Sequence, residues 1–465
     1  MSNRPYIIPL AYCDPIKVFK NFLLDQVSIF LDSATQSDGR GRFAYIVSDP
    51  FKIIRADDIS DPFAQLEDHL KLNDFHKDHR LPPFQGGAVG FLGYELGRHM
   101  EKLPQPKKGL DIPDMIVGLF DTVAAFDTVK KKAWVIAHDI TPNLRISKLA
   151  TNRPPKAVRA QNMAARISVI TPDLPIDWTS IGHWRADLSR SEYEDMVMRV
   201  KNYINNGDIF QANITQRLLA DLPEKLSPFM LYKRLRTLSP APFGAYLKFD
   251  TTSILSASPE RFLSLDPGGN AITRPIKGTR PRGFNSEEDE ALAKELLSSE
   301  KDRAENLMIV DLLRNDLSRV CRLGSVKVLE LASLESFANV HHLVSEVRGT
   351  LFPNLGPVDL LRATFPGGSI TGAPKIRAME IINKLEPVRR GPYCGAIAWI
   401  GFDGAMDSSI IIRTLVIEGS CVAAQAGGGI VADSEPSAEF DEAMDKAWPL
   451  LQSLEPSDLI RKQML

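Results

Sequence analysis

One lysine stands among three arginines and between two prolines in the segment 274–282, which reads RPIKGTRPR. Burial or neighbouring positive charge disfavours the protonated form of an amine, and the neutral amine of a lysine is a nucleophile. The prolines restrict the backbone on either side of Lys277, while Gly278 permits a tight bend or the close approach of a substrate. The segment therefore predicts a nucleophilic Lys277 on a rigid loop, or else a solvated anion-binding patch, which composition alone favours.

A second group of chemically capable residues lies on two predicted helices. In the last helix, which begins near Pro436, the residues Glu439, Glu442 and Lys446 fall on one stripe. Glu305 lies on another predicted helix, and we expect it to face that stripe across a cleft. Carboxylate oxygens from separate helices suit a hard divalent cation such as Mg²⁺. The plainer alternative is a set of helix-surface salt bridges.

Two further features indicate a site for an anion. Gly427, Gly428 and Gly429 follow a predicted strand, and glycine allows successive backbone N–H groups to converge on an anion, although a plain turn fits equally well. Arg413 lies in the apolar run 411–414, where a guanidinium usually has a carboxylate or phosphate partner. We therefore expect a small anionic substrate.

Length and charge bound the class of protein. With 465 residues, of which 44% are hydrophobic, the chain is long enough for one large domain or two ordinary ones. Because 56 basic residues nearly balance 58 acidic ones, no overall electric field attracts nucleic acid or an anionic membrane. We therefore expect neither nucleic acid nor a membrane as a partner.

Cysteine usage and hydropathy indicate the compartment. Cys13, Cys321, Cys394 and Cys421 are scattered without the spacing of a zinc site or a disulfide framework. The N-terminal apolar run is broken by Pro9, and no later segment has about 18 uninterrupted apolar residues. These observations predict a soluble, non-exported protein with reduced thiols, and hence a cytoplasmic location.

The pattern of apolar residues divides the chain into three regions. Residues 1–145 alternate short apolar runs with turn-rich breaks and read as a sheet-dominated N-terminal region, while the proline-bearing, basic stretch 146–178 predicts a linker or crossing loop. In the region 179–465, the spacing from Ser189 to Asn206, closed by Gly207, predicts an amphipathic helix. Further helices are expected from Ser286 and over 300–313, and strands over 245–249, 254–257, 394–400, 408–416 and 421–426. Helices interleaved with antiparallel-looking strand pairs indicate the α+β class.

Five blocks in order, at 274–282, 302–316, 365–379, 391–399 and 426–446, together resemble the chorismate-utilising enzymes, the family that includes anthranilate synthase component I. The resemblance covers nearly all of the chain after Ile181 and, more loosely, the N-terminal half. It implies a large two-subdomain β-sandwich of mostly antiparallel sheets with helices packed on the outside. In that fold 1–145 is the N-terminal region and 179–465 is the chorismate-binding catalytic domain.

The lysine of this chain indicates a reaction within the family, because members that make anthranilate usually have alanine at that position. The resemblance implies that Lys277 attacks the chorismate ring at C2 as the C4 hydroxyl leaves, and that ammonia resolves the covalent intermediate at C4. The product would be 4-amino-4-deoxychorismate, on the route to 4-aminobenzoate and folate. Two alternatives stay open: anthranilate synthesis, and a non-catalytic homologue that binds an amino acid or a partner.

The resemblance also implies roles for single residues. Glu260 would be the general acid or base for departure of the hydroxyl, and His342 would lie near that hydroxyl. Without the family, Glu260 reads as a salt-bridge partner of Arg261 and His342 as a packed core histidine. Mg²⁺ would be held by Glu305 and Glu442, with Glu439 nearby. The implied substrate-binding residues are Gln211, Thr279, Tyr393, Arg413, Gly427, Gly428, Gly429 and Lys446.

Gln211 favours ammonia over water as the second substrate. Relatives that add water carry a lysine base near this position, and a glutamine cannot activate water in that way. Its plainer role is a hydrogen bond across a strand end. The chain has no Gly-x-Cys-x-Gly block of a glutamine amidotransferase, so the family implies that a separate glutamine amidotransferase subunit supplies the ammonia.

A weaker resemblance lies near the N-terminus. The run 29–34, IFLDSA, is similar to an element that lines a tryptophan pocket in anthranilate synthases, with Asp32 in place of a glutamate. It predicts tryptophan at an N-terminal pocket, or simply a packed strand end.

Overall fold

The computed structural model of the chain describes residues 4–34, 41–56, 61–71, 75–140, 153–170, 183–336 and 340–455. Within these ranges the strands are β1 (Tyr6–Leu10), β2 (Val27–Leu31), β3 (Phe43–Ser48), β4 (Lys52–Arg55), β5 (Gly87–Leu92), β6 (Met115–Phe120), β7 (Thr122–Asp127), β8 (Lys132–Ala137), β9 (Arg185–Ala186), β10 (Gln211–Asp221), β11 (Phe243–Phe249), β12 (Thr252–Ser258), β13 (Arg261–Leu265), β14 (Asn270–Thr273), β15 (Ile276–Pro281), β16 (Lys327–Ser336), β17 (Val340–Thr350), β18 (Gly372–Ala373), β19 (Ala396–Gly401), β20 (Met406–Ile410), β21 (Thr414–Glu418) and β22 (Cys421–Ile430).

The α-helices in the same ranges are α1 (Pro15–Phe19), α2 (Pro62–Leu70), α3 (Lys156–Ile167), α4 (Arg190–Asn205), α5 (Pro228–Leu238), α6 (Ser286–Ser298), α7 (Glu300–Ser318), α8 (Pro357–Thr364), α9 (Lys375–Leu385) and α10 (Pro436–Leu454). No helix in the described part of the chain is both long and apolar enough to cross a bilayer.

The described strands form two sheets. One has twelve strands in the order β1-β8-β7-β3-β2-β11-β12-β21-β22-β10-β18, with β9 beside β10. The other has ten strands in the order β15-β17-β14-β13-β20-β19-β5-β6-β4, with β16 beside β17. Neighbouring strands run antiparallel, as in the pairs β10 with β22 and β15 with β17. The predicted sandwich of antiparallel sheets and the α+β class are therefore confirmed.

Alternation of side chains along the strands builds the separate cores. In β11, Ala245, Leu247 and Phe249 belong to the apolar cluster between the two sheets. Tyr246, on the opposite face, belongs to the cluster under the outer helices. A period of two along a strand produces this division, because successive side chains point to opposite faces.

The amphipathic helix predicted over 189–206 is confirmed as α4. Ser189 is its N-cap and forms a capping box with Glu192, and Gly207 follows its C-cap Asn206 with φ of 80°. The helix predicted from Ser286 is α6, and that predicted over 300–313 is α7, which continues to Ser318.

The stretch 146–178, predicted as a linker or crossing loop, contains α3 in its described part. This helix buries Arg159, Ala160, Met163 and Ile167, an amphipathic stripe that the neighbouring prolines obscure in the sequence. One expectation about a strand is wrong. The single strand predicted over 408–416 is two strands, since β20 ends at Ile410 in the ten-stranded sheet and β21 begins at Thr414 in the twelve-stranded sheet. Strands from before 145 and after 179 share both sheets, and the predicted domain bounds stay a prediction.

Candidate active site

The candidate site lies beside a gap in the twelve-stranded sheet. Strand β22 pairs with β10 as far as Ile430, but its pairing with β21 stops at Ala424. Arg413 immediately precedes β21, at the point where the chain crosses between the sheets, and has φ of 53°. The continuation of β22 beyond Ala424 therefore leaves one edge unpaired by β21, next to a guanidinium.

Lys277 lies on β15, and its Nζ donates a hydrogen bond to the backbone carbonyl of Ser369 at 3.3 Å. The expectation that neighbouring arginines crowd this amine is wrong, because each of them pairs with carboxylates that are distant in sequence or on α6. The pairs are Arg274 with Glu335 and Glu346, Arg280 with Glu295 and Asp302, and Arg282 with Asp289. Lys277 faces carboxylates instead of free cations.

Glu260 is a candidate acid or base that shares its contact with Ser369 with Lys277. Burial raises the pKa of its carboxyl to about 7, against a hydrogen bond from Ser369 and the charge of Lys277, which both favour the ionised form. The Ser369 hydroxyl donates to Glu260 Oε1 at 2.7 Å. Arg261, the alternative partner expected from sequence, pairs with Asp407 at 2.9 Å. Glu260 is thus a buried carboxyl that can hold or release a proton near neutral pH.

Three carboxylates from α7 and α10 lie on the same side of the site. Burial raises the pKa of Glu305, and the like charge of Glu439 adds to the effect. Burial also raises the pKa of Glu439, which accepts a hydrogen bond from Ser434 at 2.7 Å. Partial burial opposes ionisation of Glu442, but Lys446, paired with it at 2.6 Å, and other lysines hold the pKa of Glu442 below its usual value.

This donor set suits a hard cation without forming a complete cage. Within the described ranges, no three His, Cys, Asp or Glu side chains already converge on one point as metal ligands. Mg²⁺ is commonly held by one or two carboxylates together with water and substrate oxygens, so a closed protein cage is not required. A cation here would also offset the smaller like-charge contributions to the raised pKa values, of Glu439 on Glu305 and of Glu442 on Glu439.

The glycine triplet does not form the turn expected from sequence. Gly427, Gly428 and Gly429 lie within β22, opposite Thr215, Ile214 and Asn213 of β10. Successive amides of a strand point to alternate sides, so the three N–H groups do not converge on one anion. The glycines instead leave room for other groups. A Cβ on Gly428 would lie 2.9 Å from Glu439 Oε2, and one on Gly429 would lie 2.2 Å from Gln211 Nε2.

Arg413 and Tyr393 form the candidate carboxylate-binding corner. The Arg413 guanidinium donates to the carbonyl of Lys446 at 2.8 Å, and burial lowers the pKa of Arg413. Among the residues that the structure describes, no carboxylate forms an ion pair with Arg413. Burial also raises the pKa of the Tyr393 phenol well above its usual value, so it stays a hydrogen-bond donor. A substrate carboxylate would supply the missing partner of the guanidinium.

Gln211 is fully buried, and neither atom of its amide has a hydrogen-bond partner among the described residues. The side-chain oxygen of Asn213, two residues along the same face of β10, is also without a partner there. The plainer role proposed for Gln211, a hydrogen bond across a strand end, is therefore wrong. A small polar ligand would supply these buried atoms with hydrogen-bond partners.

His342 lies at the rim of the site. Its Nδ1 is 2.8 Å from Thr279 Oγ1, across the bulge that separates Lys277 from Thr279 in β15. The buried histidine of this pair of residues is His341, which hydrogen-bonds to Ser336 and Asp289. The roles of His342 and Thr279 with substrate stay predictions.

Two residues of the site were missed in the sequence. Ser369 contacts both Lys277 and Glu260, yet nothing in the surrounding glycines distinguishes it. Lys301 acts by its charge on Glu305, Glu439 and Glu442. Its position four residues before Glu305 on α7 was the pattern that would have identified it.

The predicted N-terminal pocket corresponds to a separate cavity of about 370 Å³ lined by Leu31, Asp32 and Ser33 together with β11 and β20. The Asp32 carboxylate is 1% exposed, pairs with Arg236 and accepts a hydrogen bond from Tyr232 at 2.9 Å. Asp32 is therefore already satisfied by the protein. The Arg261–Asp407 pair also lines this cavity and offers charged groups of both signs.

Comparison with known proteins places this geometry in a family. The profile described as chorismate binding enzyme matches residues 28–452. The chain is 44% identical to aminodeoxychorismate synthase component 1 of Klebsiella aerogenes over 374 residues, 80% of this chain and 78% of that protein. It is 42% identical to anthranilate synthase component 1 of Thermus thermophilus over 382 residues, 81% of this chain and 79% of that protein. The crystal structure of anthranilate synthase component I from Streptococcus pneumoniae covers 96% of this chain and 92% of its own, with a TM-score of 0.73 and 32% identity.

Proposed function

We propose that this chain, which belongs to the chorismate binding enzyme family, transfers ammonia to chorismate and releases 4-amino-4-deoxychorismate. The observation that carries the proposal is Lys277, which extends from β15 to within hydrogen-bond distance of the Ser369 turn and shares that turn with Glu260. An amine in this position can bond to a substrate carbon once it has given up its proton. The relatives named for this reaction reach 44% identity, which supports the same choice.

The proposed reaction uses one proton shared by Lys277 and Glu260. The amine gives its proton to the Glu260 carboxylate, and its free electron pair then forms a bond to C2 of chorismate. The double bonds of the ring shift, the C4–O bond breaks, and the departing hydroxyl takes the proton from Glu260 and leaves as water. Ammonia then bonds to C4, the double bonds shift back, and the C2–N bond breaks, so that Lys277 leaves as a neutral amine. A proton then passes from the new C4 ammonium group, through solvent, to Lys277 and restores its starting form. A carboxyl with a pKa of about 7 can perform both transfers.

We further propose Mg²⁺ as the cofactor, held by Glu305 and Glu442 with Glu439 nearby. When bound, it supplies positive charge that localises a substrate carboxylate and stabilises developing negative charge. The protein contributes the second carboxylate contact through Arg413, Tyr393 and the open edge of β22. With one substrate carboxylate at Mg²⁺ and the other at Arg413 and Tyr393, C2 of the ring would be oriented towards Lys277.

The ammonia is proposed to come from a separate glutamine amidotransferase subunit. Among the described residues, both atoms of the Gln211 amide and the side-chain oxygen of Asn213 lack hydrogen-bond partners. Ammonia both donates and accepts hydrogen bonds, so it suits them. A glutamine is also neutral at all ordinary pH values and does not deprotonate water. These properties support amination over the addition of water.

The decisive experiment gives the purified chain chorismate, MgCl₂ and an ammonium salt and identifies the product by chromatography and mass spectrometry. We expect 4-amino-4-deoxychorismate from the wild-type chain, with a covalent adduct on the Lys277 peptide after acid quenching. Lys277→Ala is expected to lower the rate by about 100-fold or more, or to divert the product to anthranilate. The control is Lys294→Ala, because Lys294 is 77% exposed on α6.

The same assay separates the alternatives. Fluorescent anthranilate as the wild-type product would replace the proposal by anthranilate synthesis, a choice that the 42% identity to an anthranilate synthase component keeps worth testing. No turnover with any nitrogen source would favour a non-catalytic homologue. Full-rate amination without an adduct on Lys277 would remove its nucleophilic role.

The cavity at Asp32 supports a second, smaller proposal, that it binds tryptophan as a vestigial amino-acid pocket. Its volume of about 370 Å³ and the Arg261–Asp407 pair suit an aromatic amino acid with both of its charges. Isothermal titration of tryptophan is expected to give heat, and its absence at millimolar concentration would remove the idea.

A further inference from the structure

Ser369 contacts the two proposed proton-carrying groups with different atoms. Its hydroxyl donates to Glu260 Oε1 at 2.7 Å, and its backbone carbonyl accepts from Lys277 Nζ at 3.3 Å. The residue is 7% exposed. One serine therefore links Lys277, on β15, to Glu260, which lies between β12 and β13.

The turn that carries Ser369 is fixed on both sides. It is a single helical turn, Gly368–Ile370, whose last carbonyl accepts from the buried Arg390 guanidinium at 3.0 Å. A Cβ on Gly368 would lie 2.7 Å from the Leu312 side chain, so the turn packs directly on α7. Thr371 closes the turn by donating to the carbonyl of Gly367 at 3.0 Å. Ser369 thus holds its two contacts in one rigid element.

We propose that Ser369 is a positioning residue that joins Lys277 and Glu260 into one unit sharing a single proton. The inference rests on the proposed function and adds a residue to it. The serine carbonyl holds the Lys277 nitrogen in place, and the serine hydroxyl orients the Glu260 carboxylate to receive the proton. No atom of Ser369 is consumed, and the proton passes from Nζ to the Glu260 oxygen as amine and carboxyl exchange charge.

The Ser369 hydroxyl should affect the pKa of Glu260, which can be measured. The ionisable groups that face Glu260 are the Lys277 ammonium on β15 and the Cys394 thiol before β19. The Ser369 hydrogen bond favours the ionised carboxyl, against burial. Removing the hydroxyl therefore raises the pKa of Glu260 above its present value of about 7. The carboxylate that must accept the lysine proton would then be scarcer at neutral pH.

The test compares Ser369→Ala, Ser369→Thr and the control Ser318→Ala, which removes an exposed hydroxyl bonded only to its own helix. Infrared titration of the substrate-free protein follows the C=O band of protonated Glu260, assigned by its loss in Glu260→Gln. We expect the band to persist to a pH about one unit higher in Ser369→Ala, and to return towards the wild-type titration in Ser369→Thr.

Kinetics supplies the second measurement. Ser369→Ala is expected to lower kcat about tenfold, with the rising limb of its pH profile moved up by the same unit, while Ser369→Thr recovers most of the rate. An unmoved Glu260 band in a folded Ser369→Ala protein would overturn the proposal, and so would a Thr variant as impaired as the Ala variant. Because the infrared titration needs no chorismate, it tests the link between Ser369 and Glu260 even if the proposed function fails.

Discussion

Arg390 and Glu386 form an ion pair at 2.7 Å with side chains only 1% and 5% exposed. The guanidinium also donates to the carbonyls of Ile370 and Asn213, and the carboxylate accepts from the backbone N–H and the hydroxyl of Thr215. The pair therefore ties the Ser369 turn to β10, the strand that carries Gln211. The spacing between the proposed proton-carrying groups and the proposed ammonia contacts depends on it.

Replacing one member of this pair should destabilise the whole fold. Arg390→Met leaves Glu386 as an uncompensated buried charge, so we expect the free energy of unfolding to fall by about 3 to 5 kcal/mol. Urea denaturation at neutral pH measures it. The matched control is Lys294→Ala, which breaks the exposed Lys294–Glu290 pair and should cost under about 1 kcal/mol. Equal, small decreases in the free energy of unfolding of both variants would show that the buried pair does not stabilise the fold.

Replacing Gly428 by alanine should weaken Mg²⁺ binding without changing the fold. A Cβ at this position would lie 2.9 Å from Glu439 Oε2 and 3.8 Å from Lys446 Nζ, so Gly428→Ala must displace the Glu439 carboxylate. We expect the affinity for Mg²⁺, measured by isothermal titration of MgCl₂ into the protein, to fall about tenfold. Gly356→Ala is the control, because its added Cβ meets no atom within 4 Å. An unchanged affinity in Gly428→Ala would remove Glu439 from the metal site.

What the sequence predicted well was local. The helix α4 has its cap, its apolar stripe and its closing glycine within twenty residues, and each acts on the backbone beside it. The break at Arg413 was not predictable in this way, because residues typical of strands lie on both sides of it in 408–416, with no glycine or proline between them, while the two halves join different sheets. The pattern of apolar residues predicts that a strand is buried, but it does not predict to which sheet the strand belongs.

The environment of Lys277 shows the same limit at the site. Its flanking arginines are neighbours in sequence, but their charges are taken up by carboxylates on α6, α7, β16 and β17. Ser369 contacts Lys277 across 92 residues and Glu260 across 109. The family was identified from five blocks taken together, which lie far apart in the sequence. Composition and spacing alone favoured a surface patch.

Replacing Gln211 should change whether ammonia or water is the second substrate. Gln211→Lys would place an amine in a fully buried position beside Gly429, where burial lowers the pKa of a lysine and makes it a base for water. We expect the aminated product to fall by at least about tenfold. Water that adds at C2 in place of Lys277, as the C4 hydroxyl leaves, would give an isomer of chorismate with its hydroxyl at C2, and chromatography quantifies both products. The control is Gln211→Asn, which keeps an amide and should add no water. The same isomer from the wild-type chain would contradict the role given to Gln211.

Two buried carboxyl groups predict how stability depends on pH. Burial raises the pKa of both Glu260 and Glu95 from the ordinary 4.5 to about 7. Between those pH values the folded protein keeps protons that the unfolded chain has released, so these two groups make the free energy of unfolding fall as the pH rises from about 4.5 to about 7. Urea denaturation at pH 5 and pH 8 measures this fall. Glu260→Gln keeps an oxygen for the Ser369 hydroxyl but cannot ionise, so its stability should fall less over the same interval. An identical pH dependence in the wild type and in Glu260→Gln would show that Glu260 does not titrate with a raised pKa, and would remove it as the shared proton carrier.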